Sequence, residues 1–132
     1  MKRWILLASL APALLAACSA FGPRESDAQV LSRYVEHAGP PIEKFTYLGR
    51  IDGWQSLSRT QLLLHTGVNS AYLLTAAQPC SNLRFANAIG ITRTGQTVSR
   101  RFDSVLVGKE RCMITQIRPV DYRAVKQQRR AS

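Results

Sequence analysis

Only two histidines, His37 and His65, and eight Asp and Glu residues are available in this 132-residue chain as proton carriers. Cysteine appears three times. Two distant cysteines and two unpaired histidines lack the paired four-ligand spacing of a structural zinc site. The nucleophile-elbow, phosphate-loop and dinucleotide glycine patterns are all missing, and with them the sequence signatures of many hydrolases and nucleotide-binding enzymes. The longest uncharged apolar stretch, Trp4 to Ala17, has fourteen residues, short of the roughly 20 that a membrane-crossing helix needs. No internal repeat or low-complexity segment stands out. With 45% hydrophobic and 20% charged residues, the composition is that of one ordinary globular domain. These numbers argue against two large enzyme domains, a repeat solenoid and a multi-span membrane protein.

The amino-terminal stretch has a different character. Basic Met1-Lys2-Arg3, the short apolar run and small residues at its end form the three parts of a secretory leader. Pro12 and the polar switch after Phe21 argue against a buried helix here. Leu15-Ala16-Ala17-Cys18 resembles the lipobox of bacterial lipoprotein precursors. That resemblance implies a diacylglycerol thioether on Cys18, cleavage before it, and acylation of the new amino terminus. Several acyl chains hold a protein on a membrane far more firmly than one. Ser19, rather than Asp, follows the cysteine; by the same resemblance, the expected location is the periplasmic face of the outer membrane. The inner membrane and the soluble periplasm are the alternatives. The expected organisation is a leader over 1–17, a tether over 18–25 and one domain over 26–132.

In the domain, Ser26 with Gln29 three residues on matches a capping box, and Val30, Leu31, Tyr34 and Val35 form a helical stripe. Gly39, Pro40 and Pro41 end it, which predicts a helix over about 27–37. From Phe45 onward, short β-branched, aromatic and Leu-rich runs alternate with Gly, Asn, Ser and Pro. Strands are expected at 45–50, 54–57, 61–65, 71–75, 88–92, 98–107 and 112–117. Thr66-Gly67-Val68-Asn69 and Thr94-Gly95-Gln96 read as hairpin turns, and Leu62-Leu63-Leu64 as a central strand apolar on both faces. Asp121 can cap a short closing helix, with Val120 and Val125 as its staple. The expected fold is mainly β, a small antiparallel barrel or sandwich with an N-terminal helix and a short C-terminal helix.

Cys80 and Cys112 form an even pair in a chain that reads as exported, which predicts a disulfide. His37 and His65 read as surface or satisfied histidines. Asp52-Gly53 reads as a turn, Asp103 as a partner of nearby Arg100 and Arg101, and Asp121 as a cap. No catalytic residue, metal or cofactor is assigned. Without the leader the net charge is +8, of which +5 lies between Arg111 and Ser132. Export argues against nucleic acid as the partner. The alternatives for this tail are a solvated end, or an anion-binding helix carrying Arg123, Lys126, Arg129 and Arg130.

Tyr72-Leu73-Leu74, Cys80, Leu83, Ile89, Asp103, Cys112, Ile114 and Ile117 through Asp121 resemble a family of small bacterial envelope proteins of unknown function. That resemblance brings no site residues. Three functional expectations follow. The first is a lipid-anchored, non-catalytic module that binds or supports another envelope component. The second is a binder of anionic glycolipid or polymer through the basic helix. The third is a small enzyme using Asp103 or His65.

Overall fold

The computed structural model describes residues 26–131; the leader, the lipobox and the tether over 18–25 lie outside the described residues. Helix α1 runs Asp27–Glu36 behind the expected capping box: the Gln29 amide donates to Ser26 Oγ, and the Ser26 amide donates to Gln29 Oε1. Of its apolar stripe, Tyr34 is buried and Val30 and Leu31 pack beside it, whereas Val35 is exposed. Among the described residues eight strands follow: β1 Lys44–Thr46, β2 Gly53–Ser56, β3 Gln61–His65, β4 Ser70–Ala76, β5 Gly90–Ile91, β6 Thr97–Ser99, β7 Ser104–Val107 and β8 Glu110–Asp121. A 3-10 turn lies at Leu83–Phe85, and helix α2, Tyr122–Ala131, follows β8 directly.

Six strands form one antiparallel sheet in the order β2-β3-β4-β8-β7-β5, and β1 pairs with β6 in a second sheet. The large sheet ends at β2 and β5, so it is open rather than a closed barrel. Its two faces follow from the alternation of side chains along each strand. Leu62, Leu64 and Leu74 join Phe45 and Val98 in a core shared with the small sheet. Leu63 and Leu73 point the other way and pack with Tyr34 and Val125. The Leu62-Leu63-Leu64 run is apolar throughout because both faces of β3 are covered, and all three residues are fully buried.

The longest strand, β8, serves three neighbours. One edge pairs with β4 from Ser70↔Asp121 to Ala76↔Ile114, with a register shift at Thr75/Ala76. The other edge pairs first with β7, from Val107↔Glu110 to Ser104↔Met113, and then with the segment after α1. There, Gly39 and Ile42 amides donate to Pro119 and Ile117 carbonyls, and the Asp121 amide donates to the His37 carbonyl. Proline is tolerated in this strand because one residue's N–H and C=O share an edge. The Pro119 carbonyl meets Gly39, so the missing N–H falls on that side and the β4 ladder is spared.

Three expected boundaries are corrected. The strand expected at 98–107 is two strands, β6 and β7. Between them Arg101 has φ 68°, and the Asp103 carboxylate accepts from the Ser99 amide at 2.8 Å. The strand expected at 45–50 stops at Thr46, ahead of Gly49 at φ 86°. The one expected at 112–117 extends across 110–121, because β4 and the 37–42 segment supply partners through its second half. The Thr94–Thr97 turn is present, but the strands beside it pair elsewhere: β5 with β7, and β6 with β1.

Cys80 and Cys112 are bonded, with S–S 2.04 Å and Cα–Cα 5.7 Å, across a sequence separation of 32. The disulfide ties the segment after β4 to β8. Closing a loop of that length removes chain entropy from the unfolded state worth about 3–4 kcal/mol. The Cys80→Ala/Cys112→Ala double variant should lose roughly that much stability in urea unfolding. A loss below about 1 kcal/mol would show that the loop is already closed by other contacts in the unfolded chain.

Candidate functional site

Each residue singled out by its chemistry has a definite place, apart from Cys18, which lies outside the described residues. Asp103 is only 3% exposed, so its charge must be met by donors. Its carboxylate accepts from Thr92 Oγ1 at 2.9 Å and from the Ser99 amide, and Thr92 Oγ1 in turn accepts from the Ser104 amide at 2.8 Å. The side chain therefore knits β5, β6 and β7 together. Of its expected partners, Arg100 pairs instead with Glu43 at 2.8 Å and holds that carboxyl below its ordinary pKa.

Asp121 caps α2, accepting from the Ala124 amide at 3.1 Å, and Val120 and Val125 are buried in one cluster as the staple requires. Asp52 stands before β2, its amide donating to the His65 carbonyl and its carboxylate paired with Arg50 at 3.4 Å. His37 caps the end of α1, where Nε2 lies 3.0 Å from Gln128 Oε1, and Gln128 Nε2 donates to Glu36. His37 therefore couples α1 to α2. His65 is half-buried, edge-on to the Tyr122 ring at 4.5 Å. Loss of hydration, reinforced by the ammonium of Lys126, lowers its pKa below 6.5 against the opposing pull of Asp52.

The basic helix divides into two parts. Lys126 Nζ donates to the Val68 carbonyl at 3.1 Å and to Asn69 Oδ1, and lies 4.7 Å from the centre of the Tyr122 ring. It pins the β3–β4 turn to α2. Arg123, Arg129 and Arg130 are exposed, and Lys126, Arg129 and Arg130 line a shallow groove of about 340 Å³.

A second basic cleft escaped the sequence reading. It holds about 390 Å³ beside the disulfide, with Arg59, Gln78, Ser81, Arg84 and Phe85 on its walls. In the 3-10 turn, Leu83 is fully buried, while Phe85 stands 80% exposed. Phe85 also borders a second hollow, with Asn87 and Val107, and so forms a ridge between the two. The only hint in the sequence is Phe85 directly after Arg84 in the short Ser81–Asn87 segment.

Among the described residues, one group has metal-ligand proximity: Cys80, Glu110 and Cys112, whose donor atoms lie within 4.8 Å of one another. The disulfide removes both thiolates from that set. Glu110 Oε1 lies 3.6 Å from Cys112 Sγ, a contact rather than a hydrogen bond, since the bonded sulfur carries no proton. The same carboxylate accepts from the Asn82 amide.

Across residues 1–132 the sequence matches the model of DUF6491, a family of unknown function. The chain belongs to that family. The match extends beyond the residues from Tyr72 through Asp121 that carry the resemblance noted in the sequence. No curated protein and no solved structure matches the chain. Membership in DUF6491 supplies no reaction or ligand.

His65 gives a pH test. Its folded pKa lies below the ordinary 6.5, so as pH falls the unfolded chain takes up this proton first. The stabilising contribution is complete above about pH 6.5 and is lost as pH drops towards the folded value. Urea unfolding between about pH 7.5 and 5.5 should show stability falling, with the slope reduced in His65→Gln. An unchanged slope in that variant would remove His65 from the account.

Proposed function

We propose that this chain is a lipid-anchored module of the bacterial envelope that binds or supports another envelope component without catalysing a reaction. The partition of the cysteines carries this reading. Cys80 and Cys112 are bonded to each other, which leaves Cys18 as the one cysteine outside the disulfide, within Leu15-Ala16-Ala17-Cys18. A disulfide also fits an oxidising compartment. Ser19 after the cysteine favours the periplasmic face of the outer membrane.

The non-catalytic part rests on what the titratable side chains already do. Asp103 holds three strands, Asp121 caps a helix, and His37 joins α1 to α2. Asp52 is paired with Arg50, and the His65 ring packs on Tyr122. A second reading, an anion-binding surface on α2, is favoured by the groove bordered by Lys126, Arg129 and Arg130. Lys126 enters it already engaged with Val68 and Asn69. Binding through such a surface would weaken steeply with salt.

Fractionation of cells expressing the chain or its Cys18→Ala variant tests the anchor. The unsubstituted chain should float with outer membranes and carry labelled fatty acid. The variant should carry no label and leave that fraction. Undiminished label in the variant would overturn acylation at Cys18.

A further inference from the structure

The ladder between β4 and β8 gives the domain two ends. At one lie Ser70, Asp121 and the start of α2; at the other lie Ala76 and Ile114. Helix α1 spans them. Its Asp27 pairs with Arg84 at 3.3 Å, and its far end meets β8 through the His37 carbonyl and the Asp121 amide. The Asp27 end is therefore where a tether would enter the domain.

Several independent contacts gather at that end. The Ala76 amide donates to the Thr60 carbonyl, bringing in the turn with Arg59. The Ala77 amide donates to the Met113 carbonyl, and Pro79 and Cys80 continue into the cleft with Arg84 and Phe85. The Arg101 amide donates to the Ile114 carbonyl, which places Phe102 at the same end. Phe85 and Phe102 are 80% and 86% exposed, and Met113 is exposed to a lesser degree. Of the nearby acidic groups, Asp27 and Glu43 pair with Arg84 and Arg100, and the Glu110 carboxylate accepts from the Asn82 amide.

We infer that this end is a membrane-contact surface: Phe85 and Phe102 enter the headgroup boundary, while Arg59 and Arg84 meet the phosphates of anionic lipid. The inference rests on the proposed anchor at Cys18. From there to Ser26 the chain can span no more than about 29 Å fully extended, which keeps this end near the bilayer. Exposed aromatic side chains flanked by arginine suit the interface, where apolar and charged groups are both solvated. The basic face of α2 belongs to the opposite end, beyond the roughly 15 Å length of α1.

The test uses the full chain, processed in cells, purified and reconstituted into phosphatidylglycerol–phosphatidylethanolamine vesicles containing acyl-brominated lipid. In a Trp54→Phe background, Phe85→Trp and Phe102→Trp place single reporters at exposed positions where the fold tolerates a larger ring. The parent's Trp54, near the His65 end of β2, is the reference. Emission from the indoles introduced at positions 85 and 102 should be strongly quenched and that of Trp54 little changed. Adding Arg59→Ala/Arg84→Ala should relieve the quenching at position 85. Quenching of both reporters no greater than that of Trp54, in protein whose mass shows lipid on Cys18, would overturn the surface assignment and leave the anchor intact. A mass without lipid would overturn the anchor and this inference together. Protection of the position-85 reporter by a co-purifying protein, with no lipid quenching, would assign the surface to a protein partner instead and refute the inference.

Discussion

The pairing of β8 on both edges is the constraint on which the rest of the structure depends. A twelve-residue strand is longer than either β7 or β4, so its second half would present unpaired backbone groups without the segment after α1. Gly39 and Ile42 meet that need by donating to Pro119 and Ile117. Gly39 is suited to the place, since a Cβ there would sit 3.3 Å from the Pro119 ring. Arg118 reinforces the contact by donating to the Gly39 and Ala38 carbonyls. Through this one strand, α1, β4, β7 and α2 acquire fixed relative positions.

Two further anchors complete the arrangement, one covalent and one polar. The disulfide fixes the segment leaving β4 against β8, where the β4 ladder has shifted register. The Asp103 carboxylate binds β5 and β6 to the edge at which β7 begins. Both stand towards the Ala76–Ile114 end of the sheet. The opposite end is held by side chains from the helices instead, His37 to Gln128 and Lys126 to Val68 and Asn69.

What could be read from the sequence divides along the same physical line. Local signals were legible: the Ser26 capping box, the Asp121 cap with its valine staple, and the Leu62–Leu64 run buried on both faces. The cysteine pair was legible because Cys80 and Cys112 remain once Cys18 is set apart by its lipobox-like setting, and a disulfide is the simplest outcome for a pair in a chain read as exported. The break at Ser99–Asp103 was hidden, because it depends on a carboxylate from one strand meeting Thr92 across the sheet. The length of β8 was hidden for a similar reason: a proline normally argues against a central strand, and only the 37–42 segment shows where its missing donor falls. The cleft of Arg59, Arg84 and Phe85 joins residues from separate loops, and no spacing in the sequence brings them together.

On the proposed membrane contact, the fold has one end suited to a membrane and another suited to other contacts, set by where α1 begins and where α2 docks. Amide hydrogen exchange on the lipidated full chain, in detergent and on anionic vesicles, tests it most directly. Slower exchange on vesicles is expected across residues 82–86 and 100–103, with the β3–β4 turn and α2 unchanged. Slowing confined to α2, with the Phe85 and Phe102 segments unaffected, would contradict it.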